Sequence, residues 1–125
     1  MNKRDVKVYV AGAISAPNII EALGNIRKGT RLSTEVLLSG YTPFSPFIDF
    51  QFFLSLKDGE KITLGDIYGY SMTWLKSSDC VILVPGWEKS VGTQNEIKQA
   101  TELVLPIFNS IEELNKWYGD NYEER

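Results

Sequence analysis

The chain predicts an α/β fold: a doubly wound, flavodoxin-like or Rossmann-like parallel sheet of four or five strands flanked by helices. Three observations predict it. Short β-branched or apolar runs recur at 6–12, 41–44, 80–84 and 104–108. Segments with apolar residues at helical spacing follow each of them, and strands alternating with helices in this way pair in parallel through crossovers that cover both sheet faces. The length, 125 residues at 43% hydrophobic, suffices for one core and is too short for two ordinary domains, so residues 1–125 are read as a single domain.

Taken in order, "VKVYVAG" has no long polar gap and suits a strand buried on both faces. From Asn18 the pattern turns helical: Ile19, Leu23 and Ile26 share a face, Asn18 with Glu21 fits a capping box, and Ala22, Gly29 and Ser33 allow a close approach to a sheet. Ser39-Gly40 ends that helix, and "YTPF" reads as a short strand stopped by Pro43. Residues 44–60 are aromatic-rich without a period, which marks a functional loop, a satellite core of Phe47, Phe50, Phe52 and Phe53, or both at once. "TLGDIYGYSMTWLKSSD" reads as a helix with Ile67, Tyr70 and Trp74 on one face, weakened by Gly65 and Gly69. "CVILV" is the most strand-like run and is expected at the sheet centre. A helix from about Thr93 to Leu103, the strand "VLPIF" and the amphipathic "IEELNKWYG" complete the order.

Composition excludes several functions. The net charge of −3 gives no electrostatic basis for binding a nucleic-acid polymer or an anionic membrane. With no histidine, a His-based triad, an imidazole base and a His metal site are all ruled out, and no metal or cofactor is expected. Carboxylates are left as the leading groups for proton transfer or nucleophilic attack, supported by Tyr and Ser hydroxyls. Cys80 lies in an apolar run and reads as a packing residue in a reducing compartment. No run is apolar enough for a signal peptide core or a bilayer span, so a soluble cytoplasmic protein is expected.

In doubly wound sheets, ligands bind beyond the carboxyl ends of the strands where the strand order reverses. The loops after the first and third strands, "AGAIS" and "PGWEKSVGT", are therefore the ligand loops. Both are rich in small residues, and the second opens a helix whose free amides and positive dipole end suit a phosphate. Glu96 falls one turn beyond Thr93, where the dipole favours its ionised form. A rise of about 5 Å over three or four residues matches the scale of a ribose, so a phosphate at Ser90 and Gly92 leaves a sugar near the Glu96 carboxylate. Thr93-Gln94-Asn95-Glu96 equally matches a capping box in which Glu96 only reaches back to the Thr93 amide. Local pattern leaves both open.

Three segments, "VYVAGAIS", "WLKSSDCVILVPGWEKSVGTQNE" and "VLPIF", together resemble the nucleoside 2-deoxyribosyltransferase superfamily, including its nucleotide N-hydrolase branch, up to about Asn109. The Pro85-Gly86-Trp87 turn is similar to an uncharacterised, often phage-borne subgroup. The resemblance implies that Glu96 is the nucleophile at the anomeric carbon, forming a ribosyl-enzyme ester opened by water or a second base. It implies that the Tyr9 hydroxyl orients that carboxylate, that Gly12, with Ala13 and Ile14 beside it, lies beneath the ligand, and that Ser90 and Gly92 hold the 5′-phosphate. It further implies a homodimer or higher homo-oligomer in which a neighbouring subunit helps to close the site. Trp87 is assigned to the pocket wall, stacking on a base, with a core or interface role as the alternative.

The sequence departs from that pattern at one position. The family usually carries an aspartate where this chain has Ser71, and Ser is no acid near neutral pH. Asp66, five residues earlier, points well away from the Ser71 face at about 100° per residue. Asp49, in the aromatic segment, is the better second carboxylate, or else a solvated loop acid or a turn cap. Two functions stay open: cleavage of the N-glycosidic bond of a nucleoside 5′-monophosphate, by hydrolysis or transfer, and a non-catalytic protein that binds or sequesters a nucleotide on the same scaffold. In both the partner is a small-molecule nucleotide.

Overall fold

The computed structural model describes residues 2–119. Four strands, β1 (Lys7–Ala11), β2 (Thr42–Phe44), β3 (Cys80–Leu83) and β4 (Ile107–Phe108), form one sheet in the order β2-β1-β3-β4. Every pairing is parallel. The helices are α1 (Ile19–Leu38), α2 (Phe50–Leu54), α3 (Leu64–Lys76), α4 (Val91–Glu102) and α5 (Ile111–Tyr118). The expected α/β doubly wound fold is the one observed, with β1 and β3 at the centre.

Strand residues alternate between two cores, as a pleat requires. Val8, Val10, Cys80 and Ile82 pack with Val36 of α1 and with Leu114 and Tyr118 of α5. Tyr9, Ala11, Val81 and Leu83 pack with Met72 and Leu75 of α3 and Ala100 of α4. All four residues of β3 are buried, the condition of a parallel strand covered on both faces.

Several elements differ from expectation for identifiable reasons. Pro43 sits inside β2 instead of stopping it. Thr42 N–H donates to the Val6 carbonyl at 3.0 Å, so by the period of two the Pro43 nitrogen faces the open edge, where no partner needs an N–H. The last strand shrinks from the expected 104–108 to Ile107–Phe108 because Val104 takes a left-handed conformation (φ 58°) that ends α4. The Leu105 N–H then closes on the Ala100 carbonyl at 2.9 Å, a helix stop more often made with glycine. Ile26 packs on the core, yet Ile19 and Leu23 are 62% and 42% exposed. A 20-residue helix runs roughly 30 Å, whereas β1 spans roughly 17 Å, so the first turns of α1 outrun the sheet.

The aromatic segment is neither a bare loop nor a satellite core. It forms a 3-10 turn, Pro46–Asp49, followed by α2. Phe47 alone joins the core, at 1% exposure, while Phe50, Phe52 and Phe53 remain 40–47% exposed. Gly29 of α1 makes room for that ring: a Cβ there would lie 2.3 Å from Phe47 Cδ1. Among the described residues no helix is long and apolar enough to cross a membrane.

Candidate active site

The strand order reverses between β1 and β3, and a cavity of about 570 Å³ opens beyond their carboxyl ends. The loop after β1, the 3-10 turn before α2, one face of α3 and the start of α4 all contribute to its wall. The volume lies within the range of small-molecule sites.

The start of α4 determines what Glu96 does. Ser90 caps this helix, accepting from Thr93 N–H at 3.2 Å and from the Thr93 hydroxyl at 2.9 Å. The helix thus begins at Val91, two residues before the sequence suggests, and Thr93 is inside it and buried. Glu96 is consequently in the second turn, no capping box with Thr93 forms, and its carboxylate instead accepts a hydrogen bond from the Tyr9 hydroxyl. The expectation that the helix dipole favours the ionised carboxylate is also corrected. Burial pushes the Glu96 carboxyl up to about 7, opposed by the Tyr9 hydrogen bond and reinforced by the charge of Asp49.

Tyr9 is fully buried on the α3–α4 side of β1, its ring stacked on Phe44 at 5.4 Å. It stands behind Glu96 and is not among the cavity walls. Burial, then the Glu96 carboxylate, push its phenol far above the ordinary value, so it stays protonated and acts only as a donor towards Glu96. Ser71 adds a hydrogen bond at the Tyr9 oxygen; it is 7% exposed and reaches the cavity wall.

Of the other sequence candidates, Gly12, Ile14, Asp49, Ser90 and Gly92 line the cavity. Gly12 has a packing reason to be glycine, since a Cβ there would fall 2.6 Å from Val84 Cβ. Ala13 and Trp87 do not line it. Trp87 packs against the α3–α4 core instead, because Gly86 at φ 93° turns the chain straight after β3. Asp66 closes a reciprocal cap with Thr63, at 2.9 and 3.0 Å, on the exposed end of α3, consistent with its exclusion from the site. Asp49 is 5% exposed and accepts from the Tyr70 hydroxyl, so it is no solvated loop acid.

Sequence reasoning missed Lys89, Ser15, Tyr68 and Met72 in the wall. Lys89 had a signal, being the one cation of "PGWEKSVGT". The wall thus carries groups of both signs: two carboxylates, buried Asp49 and half-buried Glu96, together with Lys89 and the start of α4, whose first amides have no intrahelical acceptor. Among the described residues no cluster of three or more His, Cys, Asp or Glu is disposed to hold a metal ion.

The curated proteins contain no match to the chain. A family model described as a domain of unknown function (DUF4406) matches residues 6–109, which takes in β1 through β4 and every site residue named above. By that match over most of its length, the chain belongs to the DUF4406 family.

Proposed function

We propose that the protein cleaves the N-glycosidic bond of a nucleoside 5′-monophosphate, with Glu96 as the nucleophile. One observation carries the reading: a carboxylate on the cavity wall is held by a buried tyrosine from the central strand, rather than by its own helix terminus. A carboxylate so fixed can attack an anomeric carbon as the base departs and form a glycosyl ester, which water or a second base opens. The resemblance to the nucleoside 2-deoxyribosyltransferase superfamily points the same way. Lys89 and the start of α4 at Ser90 and Gly92 would supply the positive potential that a 5′-phosphate needs in a cavity that also carries two acids. A cytoplasmic homodimer or higher homo-oligomer belongs to the same proposal, with the exposed Ile48, Phe50, Phe52 and Phe53 beside the cavity as the surface a second copy would cover.

Incubation with a panel of nucleoside 5′-monophosphates, followed by chromatography, tests the proposal. Free base should appear with the wild type, and Glu96→Gln should abolish its release while nucleotide binding persists. Ser71, standing where an acid is usual, favours a second reading in which the protein binds or sequesters a nucleotide without turning it over. Tight retention of nucleotide with no free base from any of the panel would establish that reading instead.

A further inference from the structure

A second tyrosine–carboxylate pair faces the same cavity. Asp49 closes the 3-10 turn Pro46–Asp49 and accepts a hydrogen bond from Tyr70 of α3. Phe44 bridges the two pairs, stacked on Tyr9 at 5.4 Å and edge-on to Tyr70 at 5.8 Å. The turn is fixed from behind by Phe47, whose ring fills the space left by Gly29 and reaches Gly12. A carboxylate kept this dry is costly unless a partner or a task holds it there, and the ion pairs of the described residues do not include it. Resting on the glycosidase reading above, we propose that Asp49 is the general acid and base of the reaction and that Tyr70 is its positioning residue.

In the first step the Glu96 carboxylate oxygen bonds to the anomeric carbon, the C–N bond breaks, and its electron pair leaves with the base, which takes the Asp49 proton. In the second, Asp49 as carboxylate accepts a proton from water, the water oxygen bonds to the anomeric carbon, and the ester bond breaks to restore Glu96. The sum is nucleotide plus water giving base plus sugar phosphate. The groups facing Asp49 are Tyr70 from α3, Glu96 from α4 and, more remotely, Tyr9 from β1, with Lys89 in the same wall. Burial raises the Asp49 carboxyl above its usual range, and the Tyr70 hydrogen bond opposes that rise. The charge of Asp49 disfavours ionised Glu96, and the reactive form carries a proton on Asp49 and none on Glu96.

Single-turnover base release separates this role from a structural one. Ordinary purine monophosphates need a proton on the departing base; 7-methylguanosine 5′-monophosphate already carries a positive charge there and needs none. Asp49→Asn should slow release from adenosine 5′-monophosphate about 100-fold or more and slow release from the 7-methyl substrate less than about tenfold. Equal losses on both substrates overturn the assignment. Tyr70→Phe gives an independent reading: losing a hydrogen bond that favours ionised Asp49 should shift the pH–rate profile upward, and an unmoved profile overturns the positioning role. Wild-type protein inactive on both substrates would instead remove the glycosidase reading itself.

Discussion

Tyr9 of β1 donates its hydroxyl hydrogen to Glu96 of α4, joining two residues 87 positions apart across the end of the sheet. Because Tyr9 favours the ionised form of Glu96, its removal has a signed consequence. Tyr9→Phe should move the acid limb of the pH–rate profile above about 7 and lower the rate at neutral pH roughly tenfold. A profile that keeps its acid limb would mean that the contact has no influence on the proposed nucleophile.

The same carboxylate makes folding pH-dependent. Its carboxyl stands at about 7 in the folded chain against 4.5 when free, so between those values the folded state holds a proton that the unfolded chain has lost. Stability from this group is complete below 4.5 and is lost as pH rises through about 7. The change amounts to roughly 3 kcal/mol. Glu96→Gln cannot titrate, and urea unfolding at about pH 5 and about pH 8 should show the variant gaining on the wild type at the higher pH by up to that amount. Parallel behaviour of the two proteins would show that the acid is not dehydrated.

Gly29 and Phe47 should behave as one packing unit. Gly29→Ala places a methyl 2.3 Å from the ring and should cost about 1–3 kcal/mol. Phe47→Ala empties the site and should cost about 3–5 kcal/mol. With the ring gone the new methyl meets free space, so the double variant should be destabilised by clearly less than the sum. Strict additivity in denaturant titrations would mean that the turn carrying Asp49 is anchored elsewhere.

The fold was legible because the apolar runs around Val8 and Ile82 repeat between helical segments, and topology then requires a cleft beyond β1 and β3. Glu96 was legible as a candidate, but its partner was not a matter of local spacing: Ser90 and Thr93 both make sound caps, and only the packing of α4 on the sheet selects Ser90. Pocket wall and core were both open for Trp87, and the choice was not legible because its direction depends on the backbone turn at Gly86. Tyr70 reads as an ordinary member of a helical face, and its link to Asp49 arises only when Phe47 pulls the turn against α1.

Ser71 provides the last prediction, since the chain has a hydroxyl where the superfamily it resembles carries an aspartate. Its side chain lies at the Tyr9 oxygen, 7% exposed, between the strand and the cavity. A carboxylate there would compete with Glu96 for the Tyr9 hydrogen and add a further acid to a site that already holds Asp49 and Glu96. Both effects disfavour ionised Glu96. Ser71→Asp should therefore raise the acid limb of the pH–rate profile by about one unit or more and reduce base release at neutral pH. If the substitution speeds release instead, an acid at this position serves the reaction better than Asp49 does. The variant thus decides whether Asp49 or a carboxylate at position 71 is the better second acid for the proposed reaction.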